Sequence, residues 1–98
     1  MILGDVYQKG VETITSGNYF DIQPAEDHEI VIHNICSDGA CELYVYDGTN
    51  ELLLDILDEA GSWSAQYFHC TNGKRIRVKN NGVADIKIYA DGVYTKVA

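Results

Sequence analysis

The residues EIVIHNICSDGACELYVYDG, at positions 29–48, decide the fold class of this chain. Two apolar runs, Ile30–Ile35 and Leu43–Tyr46, are rich in β-branched and aromatic residues, which favour strands over helices. Between them, Ser37–Ala40 contains an Asp-Gly pair, which tolerates the positive φ angles of tight hairpin turns. We therefore predict a central β-hairpin here, followed by a second turn at Asp47-Gly48.

The rest of the chain repeats this pattern of short extended segments and polar turns. The predicted strands cover residues 11–15, 19–23, 51–57, 63–70, 74–80, 84–90 and 93–97. For Glu51–Leu57 a helical turn is the competing interpretation, and Asp91-Gly92 is predicted to be the last turn. Residues 1–10 form either a short strand or an extended N-terminal arm. Short strands at regular spacing are typical of an all-β, antiparallel β-sandwich, here a jelly-roll or related Greek key of eight to ten strands.

The alternation of apolar and polar residues along these strands also predicts the core. One side chain in two should face the interior of the sandwich. The predicted core residues are Ile14, Ile22, Ile30, Ile32, Leu43, Val45, Leu52, Leu54, Phe68, Ile76, Val78, Ile86 and Ile88.

The length of the chain, 98 residues, predicts a single domain spanning residues 1–98. We find no apolar run near the ~20 residues that a membrane helix needs. The first ten residues also lack the basic start and long apolar centre of a signal peptide. We therefore expect a protein made in the cytoplasm, without a membrane partner.

The charge is unevenly distributed along the chain. Residues 1–60 carry thirteen carboxylates and one lysine, whereas residues 61–98 carry two carboxylates and six lysines or arginines, which leaves a net charge of −8. Such a balance argues against nucleic acid as a partner, because neutralising phosphates needs an excess of Lys and Arg. The alternation within Arg75–Lys79 instead places the basic side chains on the solvent face of a strand, opposite acidic neighbours.

The three cysteines, Cys36, Cys41 and Cys70, do not form an obligatory disulfide framework, because their number is odd. Cys36 and Cys41 bracket the predicted turn and could pair across a hairpin, although the geometry is demanding. In a reducing cytoplasm, three small and partly buried thiols are the expected state.

No motif for catalysis or metal binding stands out. The histidines, His28, His33 and His69, do not adjoin a recognised nucleophile motif, and His69 and Cys70 should point to opposite faces of their strand. Asp47, Asn50 and Glu51 do not have the spacing of an EF-hand calcium loop. We therefore predict a protein that is not an enzyme, with no cofactor and no metal site.

The aromatic residues are the best candidates for function. Tyrosine and tryptophan are enriched at protein interfaces, but the same residues also pack on sheets or stack on sugars, and the sequence does not decide between these roles. Trp63, in a Gly-Ser-Trp-Ser segment, is expected to lie exposed in a loop. The candidate interface residues are Trp63, Tyr44, Tyr46, Tyr67 and Tyr94.

The order of segments from Tyr19 onward resembles a group of small tailed-phage virion proteins. The matching phrases are YFDIQPA (19–25), EIVIHNI (29–35), ELYVYDG (42–48), GSW (61–63), FH (68–69) and IRVKN (76–80). The resemblance implies a β-sandwich that serves as a capsid decoration (cement) protein, stabilising the head by binding the phage major capsid protein, as a homotrimer on the capsid surface. A structural role at the neck, tail or fibre base is the alternative within the virion. A small carbohydrate-binding β-sandwich module is the alternative outside it.

Overall fold

The computed structural model describes residues 3–97, without the side chains of residues 65–67, and these residues contain strands and no helix. The eight strands are β1 (Val6–Ile14), β2 (Tyr19–Ile22), β3 (Glu29–Ser37), β4 (Cys41–Tyr46), β5 (Glu51–Leu57), β6 (Gly61–Thr71), β7 (Arg75–Lys79) and β8 (Ile86–Lys96). The predicted strand at Glu51–Leu57 is therefore confirmed.

The strands form two four-stranded antiparallel sheets that pack face to face. Sheet A has the order β1-β8-β3-β6, and sheet B has the order β2-β7-β4-β5. The first strand thus pairs with the last, the second with the seventh, the third with the sixth and the fourth with the fifth. This nested pairing is the strand order of an eight-stranded jelly roll, which confirms the predicted fold class.

The predicted central hairpin is wrong, because β3 lies in sheet A and β4 lies in sheet B. Residues 38–40 carry the chain from one sheet to the other, and the Ser37 hydroxyl donates to the Gly39 carbonyl at 2.8 Å. The alternating pattern of both strands is satisfied, since their apolar sides meet in one interior. The pattern identifies the buried side of each strand, but it does not identify the neighbour to which the strand is hydrogen-bonded.

The core lies between the sheets and contains most of the residues predicted for it. Nine of the thirteen are buried, while Val45 and Phe68 are half-buried at its margin. Leu52 and Leu54 are corrections, because their side chains are 63% and 44% exposed. They lie on β5, which forms an edge of sheet B, where the facing sheet does not cover them. The buried set is Ile14, Ile22, Ile30, Ile32, Leu43, Ile76, Val78, Ile86 and Ile88.

Two boundaries predicted between elements, the turn at Asp91-Gly92 and the boundary after residue 10, lie inside strands of the structure. Asp91-Gly92 lies in the middle of β8, where a Cβ atom on Gly92 would overlap the carbonyl oxygen of Val31. This glycine therefore serves a close approach of two strands rather than a turn. Lys9-Gly10 lies within β1 at a β-bulge, and Val6–Lys9 pair with the chain's own β8. Residues 6–9 of this segment thus belong to β1, and the Gly4 N–H donates to the Tyr94 carbonyl at 2.8 Å, so the described residues lie against β8 and do not project as an arm.

Candidate functional site

The outer face of sheet B carries a cluster of aromatic and charged side chains, with four contacts between cations and tyrosine rings among the described residues. Alternation along each strand turns one side chain in two to this face, and the strand register arranges them in rows across the sheet. We call this surface the Tyr–Arg face. It comprises Tyr19, Asp21, Glu42, Tyr44, Tyr46, Glu51, Leu53, Ile56, Arg75, Arg77 and Lys79.

Arg77 lies at the centre of the Tyr–Arg face. Its guanidinium carbon lies 4.0 Å from the ring centre of Tyr19 and 4.1 Å from that of Tyr46. Its Nε donates to Asp21 at 2.9 Å, and its Nη1 lies 3.4 Å from a Glu51 carboxylate oxygen. Burial lowers the pKa of Arg77, but the two carboxylates outweigh burial and raise this pKa above its usual value. The arrangement confirms the prediction that the basic residues of β7 lie opposite acidic neighbours.

Tyr44 and Tyr46, two of the candidate interface residues, both belong to the Tyr–Arg face and are half-buried there. The Tyr44 hydroxyl donates to Glu42 at 2.9 Å, and burial together with this hydrogen bond raises the pKa of Tyr44 to about 12. The Tyr46 hydroxyl donates to the Gly48 carbonyl at 3.0 Å, while Arg75 lies 4.7 Å from its ring centre. These contacts orient both rings on the outer face of sheet B.

Trp63 is not an exposed loop residue, so that prediction is wrong. It lies within β6, with 7% of its surface exposed, and belongs to the core. Its indole nitrogen donates to Asp55 on β5 at 2.8 Å, which satisfies the polar end of the ring. This hydrogen bond and one from the Ile56 backbone N–H lower the pKa of Asp55. Trp63 therefore joins the two sheets and offers no ring for stacking on a ligand.

Tyr94 and Tyr67 do not extend the Tyr–Arg face. Tyr94 lies on β8 in sheet A, where its ring packs edge-on against Tyr7 at 5.9 Å and lies 6.1 Å from the ring of His28. Burial and the neighbouring Tyr94 raise the pKa of Tyr7 to about 12. Tyr67 belongs to the residues of β6 whose side chains lie outside the described part of the structure.

Strand β5 is the feature that sequence reasoning missed. Its outward-facing residues Leu53 and Ile56 are 43% and 45% exposed, so they leave apolar surface in contact with water next to Tyr44. The signal was present in the sequence, because three successive leucines break the alternation that a strand with one wet face should show. An edge strand with apolar residues on both faces produces this pattern.

A cleft of about 390 Å³ adjoins the Tyr–Arg face at the β4–β5 turn. Asp47 shapes that turn, since its carboxylate accepts from the backbone N–H groups of Thr49 and Asn50. These hydrogen bonds lower the pKa of Asp47. The lining of the cleft combines the Tyr46 ring with two carboxylates, an ammonium group and the Asn50 amide. The cleft is lined by Val45, Tyr46, Asp47, Asn50, Glu51, Leu52 and Lys74.

All three cysteines lie in the described part of the chain, and each is a free thiol. Cys36 is exposed, whereas Cys41 and Cys70 are buried, which raises the pKa of both and brings that of Cys70 to about 11. His69 is exposed beside buried Cys70, so the two side chains point to opposite faces as predicted. In the described residues, no three His, Cys, Asp or Glu side chains gather as metal ligands would.

Comparison with known protein families finds no match for this chain. A search of curated proteins finds no matching protein either. Within the described residues, the structure contains no helix of the length and apolar character required to cross a membrane.

Proposed function

We propose that this chain is a structural protein of a tailed-phage virion, a capsid decoration (cement) protein that binds the lattice of the major capsid protein. The observation that carries the proposal is the Tyr–Arg face, where aromatic and charged side chains adjoin the exposed apolar residues Leu53 and Ile56 of β5. Tyrosine and arginine are enriched at protein interfaces because each combines apolar contact area with hydrogen bonding. The sequence resemblance described above supplies the virion context.

The architecture suits such a role. Jelly rolls recur in viral capsid proteins, and two stacked sheets give a rigid body that needs no ligand to hold its shape. A homotrimer on the capsid surface would match a symmetry axis of the shell and bind through several copies at once. Each single contact is then modest, which agrees with a surface whose apolar part is limited to one strand.

The electrostatics favour a protein partner over nucleic acid. Arg77 is engaged by Asp21 and Glu51, and Arg75 lies 3.9 Å from Asp21, so these cations are already balanced by carboxylates. With a net charge of −8, the surface as a whole repels phosphate backbones. A negatively charged surface also limits aggregation among copies displayed close together on a shell.

The test is co-sedimentation of the purified chain with expanded empty shells of the phage that encodes it. We expect saturable binding, a higher melting temperature of the shells, and elution of the free chain as a trimer in light scattering. Absence of binding to shells at micromolar concentration would overturn the decoration role. Reconstruction of the virion distinguishes the head from the neck, tail or fibre base, where the same surface would serve a structural role.

Saccharide binding is the second candidate function, and the cleft beside Tyr46 is the observation that favours it. An aromatic wall with carboxylate and amide groups at its edge is a suitable lining for a sugar ring. Calorimetric titration against a glycan panel tests this candidate. Binding by the wild type that Tyr46→Ala abolishes would support it, and no heat from any glycan would exclude it. Trp63→Ala is not an informative variant for this test, because Trp63 is buried.

A further inference from the structure

Strand β5 has an open edge. Among the described strands it is the last of sheet B, so the backbone groups on its outer side have no neighbouring strand of that sheet. Proteins commonly protect such edges with lysine, proline, a very short strand, a β-bulge or an inward-pointing charge. β5 is seven residues long and contains neither lysine nor proline. It has a bulge opposite Leu43 and Tyr44 and an inward-pointing Asp55, but these leave Leu53 and Ile56 exposed. Four of its five apolar residues are exposed, from 43% for Leu53 to 63% for Leu52, and they lie on both faces of the strand, whereas Leu57 packs against the core.

Both ends of β5 are acidic. Asp47 and Glu51 lie at its start, and Asp58 and Glu59 follow its last residue, all four being exposed. Residues 41–60 contain six carboxylates and no lysine or arginine. Arg77 pairs with Glu51, while the carboxylate of Asp47 is stabilised in its charged form by backbone N–H groups. Asp55, in the middle of the strand, turns towards the core and accepts a hydrogen bond from the Trp63 indole. On its outward side β5 therefore has an apolar centre, Leu53 and Ile56, between two acidic ends.

This charge pattern disfavours a second copy of β5 as the neighbour. In an antiparallel pair of identical strands, Glu51 of one copy would lie beside Asp58 and Glu59 of the other. In a parallel pair, Glu51 would lie beside its own counterpart. Like charges opposite each other destabilise strand pairing, whereas opposite charges stabilise it.

We propose that β5 receives an extended segment of a partner protein, apolar at its centre and carrying lysine or arginine towards both ends, which adds a fifth strand to sheet B. Backbone hydrogen bonds would supply affinity, and alternate side chains would supply specificity, as in other cases of strand addition. Leu53 and Ile56 contact the apolar centre of the segment, and the two acidic ends bind its cations. The inference rests on the proposed function only for the identity of the partner, which would then be the shell protein.

The experiment uses the full chain and a labelled synthetic peptide, Lys-Lys-Val-Thr-Val-Thr-Val-Lys-Lys, followed by fluorescence anisotropy and by amide NMR shifts. A twin with glutamate in place of lysine tests charge, and a twin with proline in place of its central valine tests strand addition. We expect shifts confined to β5 and its flanking turns, and binding about tenfold weaker or more for either twin. Equal binding of either twin, or shifts centred elsewhere, would overturn the inference.

Variants locate the contact. Leu53→Ser with Ile56→Ser should weaken peptide binding about tenfold or more, because the buried apolar area is lost. Val83→Ser is the matched control, since Val83 is fully exposed away from β5. Asp58→Asn with Glu59→Gln should weaken binding too, and Asp85→Asn, in the β7–β8 connection, should not. Peptide binding that the β5 variants leave unchanged would contradict the proposal.

The two proposals fail separately. Binding of the chain to shells without binding of the lysine peptide would remove the role of β5 and leave the decoration function standing. Binding of the peptide through β5 without binding to shells would remove the decoration function and leave the strand-addition edge standing.

Discussion

The indole nitrogen of Trp63 donates a hydrogen bond of 2.8 Å to the carboxylate of Asp55, and this bond joins sheet A to the edge strand of sheet B. It holds the core-facing side of β5 against sheet A. The edge of β5 opposite β4 remains available for a further strand. The buried Trp63 ring and the exposed Asp55 carboxylate together fix the position of β5, the strand that we assign to binding.

Trp63→Phe keeps an aromatic ring in the core but removes the donor to Asp55. The folded-state pKa of Asp55 is lowered, so its stabilising effect is present above the unfolded-state pKa, about 3.9, and is lost as the pH falls through the folded-state value. We therefore expect the difference in melting temperature between wild type and Trp63→Phe to be largest near neutral pH and smaller in acid. In the Asp55→Asn background, this pH dependence should disappear. A difference that stays constant with pH would contradict the role of the bond.

Gly92→Ala should destabilise the fold strongly. The new methyl group would overlap the Val31 carbonyl oxygen and force β8 away from β3 at the centre of sheet A. We expect a loss of about 3 kcal/mol or more in the free energy of unfolding, measured by urea denaturation. Gly73→Ala is the control, because a Cβ atom there meets open space, and it should be nearly neutral. Equal stabilities of the two variants would refute the close approach.

Asn80→Ala tests a buried amide that organises the connection after β7. Asn80 is fully buried; its Nδ2 donates to the Ile14 and Ala84 carbonyls at 2.8 Å, and its Oδ1 accepts from the Gly82 N–H. Removal of the Asn80 amide leaves these three backbone groups without their partner, and we expect the free energy of unfolding to fall by about 3 kcal/mol. Asn81→Ala, one residue on and exposed, should change the free energy of unfolding by less than about 0.5 kcal/mol.

Arg77→Met should lower the free energy of unfolding, because it removes the ion pairs of Arg77 and its stacking on Tyr19 and Tyr46. We expect thermal denaturation to show a loss of about 1–2 kcal/mol, because the guanidinium is largely shielded from water. Lys74→Met, at an exposed position in the β6–β7 turn, is the control. If both variants lose the same stability, the stacked arrangement contributes nothing specific.

The three thiols should differ in reactivity. Cys36 is exposed and should react within seconds to minutes with a disulfide reagent near pH 8, whereas burial raises the pKa of Cys41 and Cys70 and keeps them as thiols. Spectrophotometric titration should therefore find one fast thiol in the native protein and three in denaturant. Cys36→Ser should remove the fast phase and leave oligomeric assembly unchanged. Two or more fast native thiols would be inconsistent with the burial described.

The sequence predicted the fold class and most of the core because alternation reports which side of a strand is buried. It did not predict that β3 and β4 belong to different sheets, since a chain that crosses between sheets has the same alternation and the same turn residues as a hairpin. Asp91-Gly92 was misinterpreted for a related reason. A glycine required by the neighbouring Val31 backbone has the same sequence signature as a glycine required by a turn.

The candidate site was predicted only in part. Tyr44 and Tyr46 do lie on the outer face of sheet B, but Trp63, chosen for its small polar neighbours, is buried. Small residues beside a large ring are equally consistent with a loop and with a crowded strand, and only packing separates them. The exposed β5 was overlooked because its leucines were assigned to the core. Burial of an apolar run depends on what faces it, and the local sequence does not contain that information.

In sheet A, β1 pairs with β8, so the first described strand has the last described strand as its neighbour. A ribosome that adds about 5–20 residues per second must finish residues 86–96 before either β1 or one side of β3 gains its neighbour. Until then β3, which contains Ile30 and Ile32, can pair only with β6 and lacks its second neighbour. The fold can therefore close only after translation of its last strand, and a truncation ahead of β8 would leave the chain without a stable intermediate sandwich.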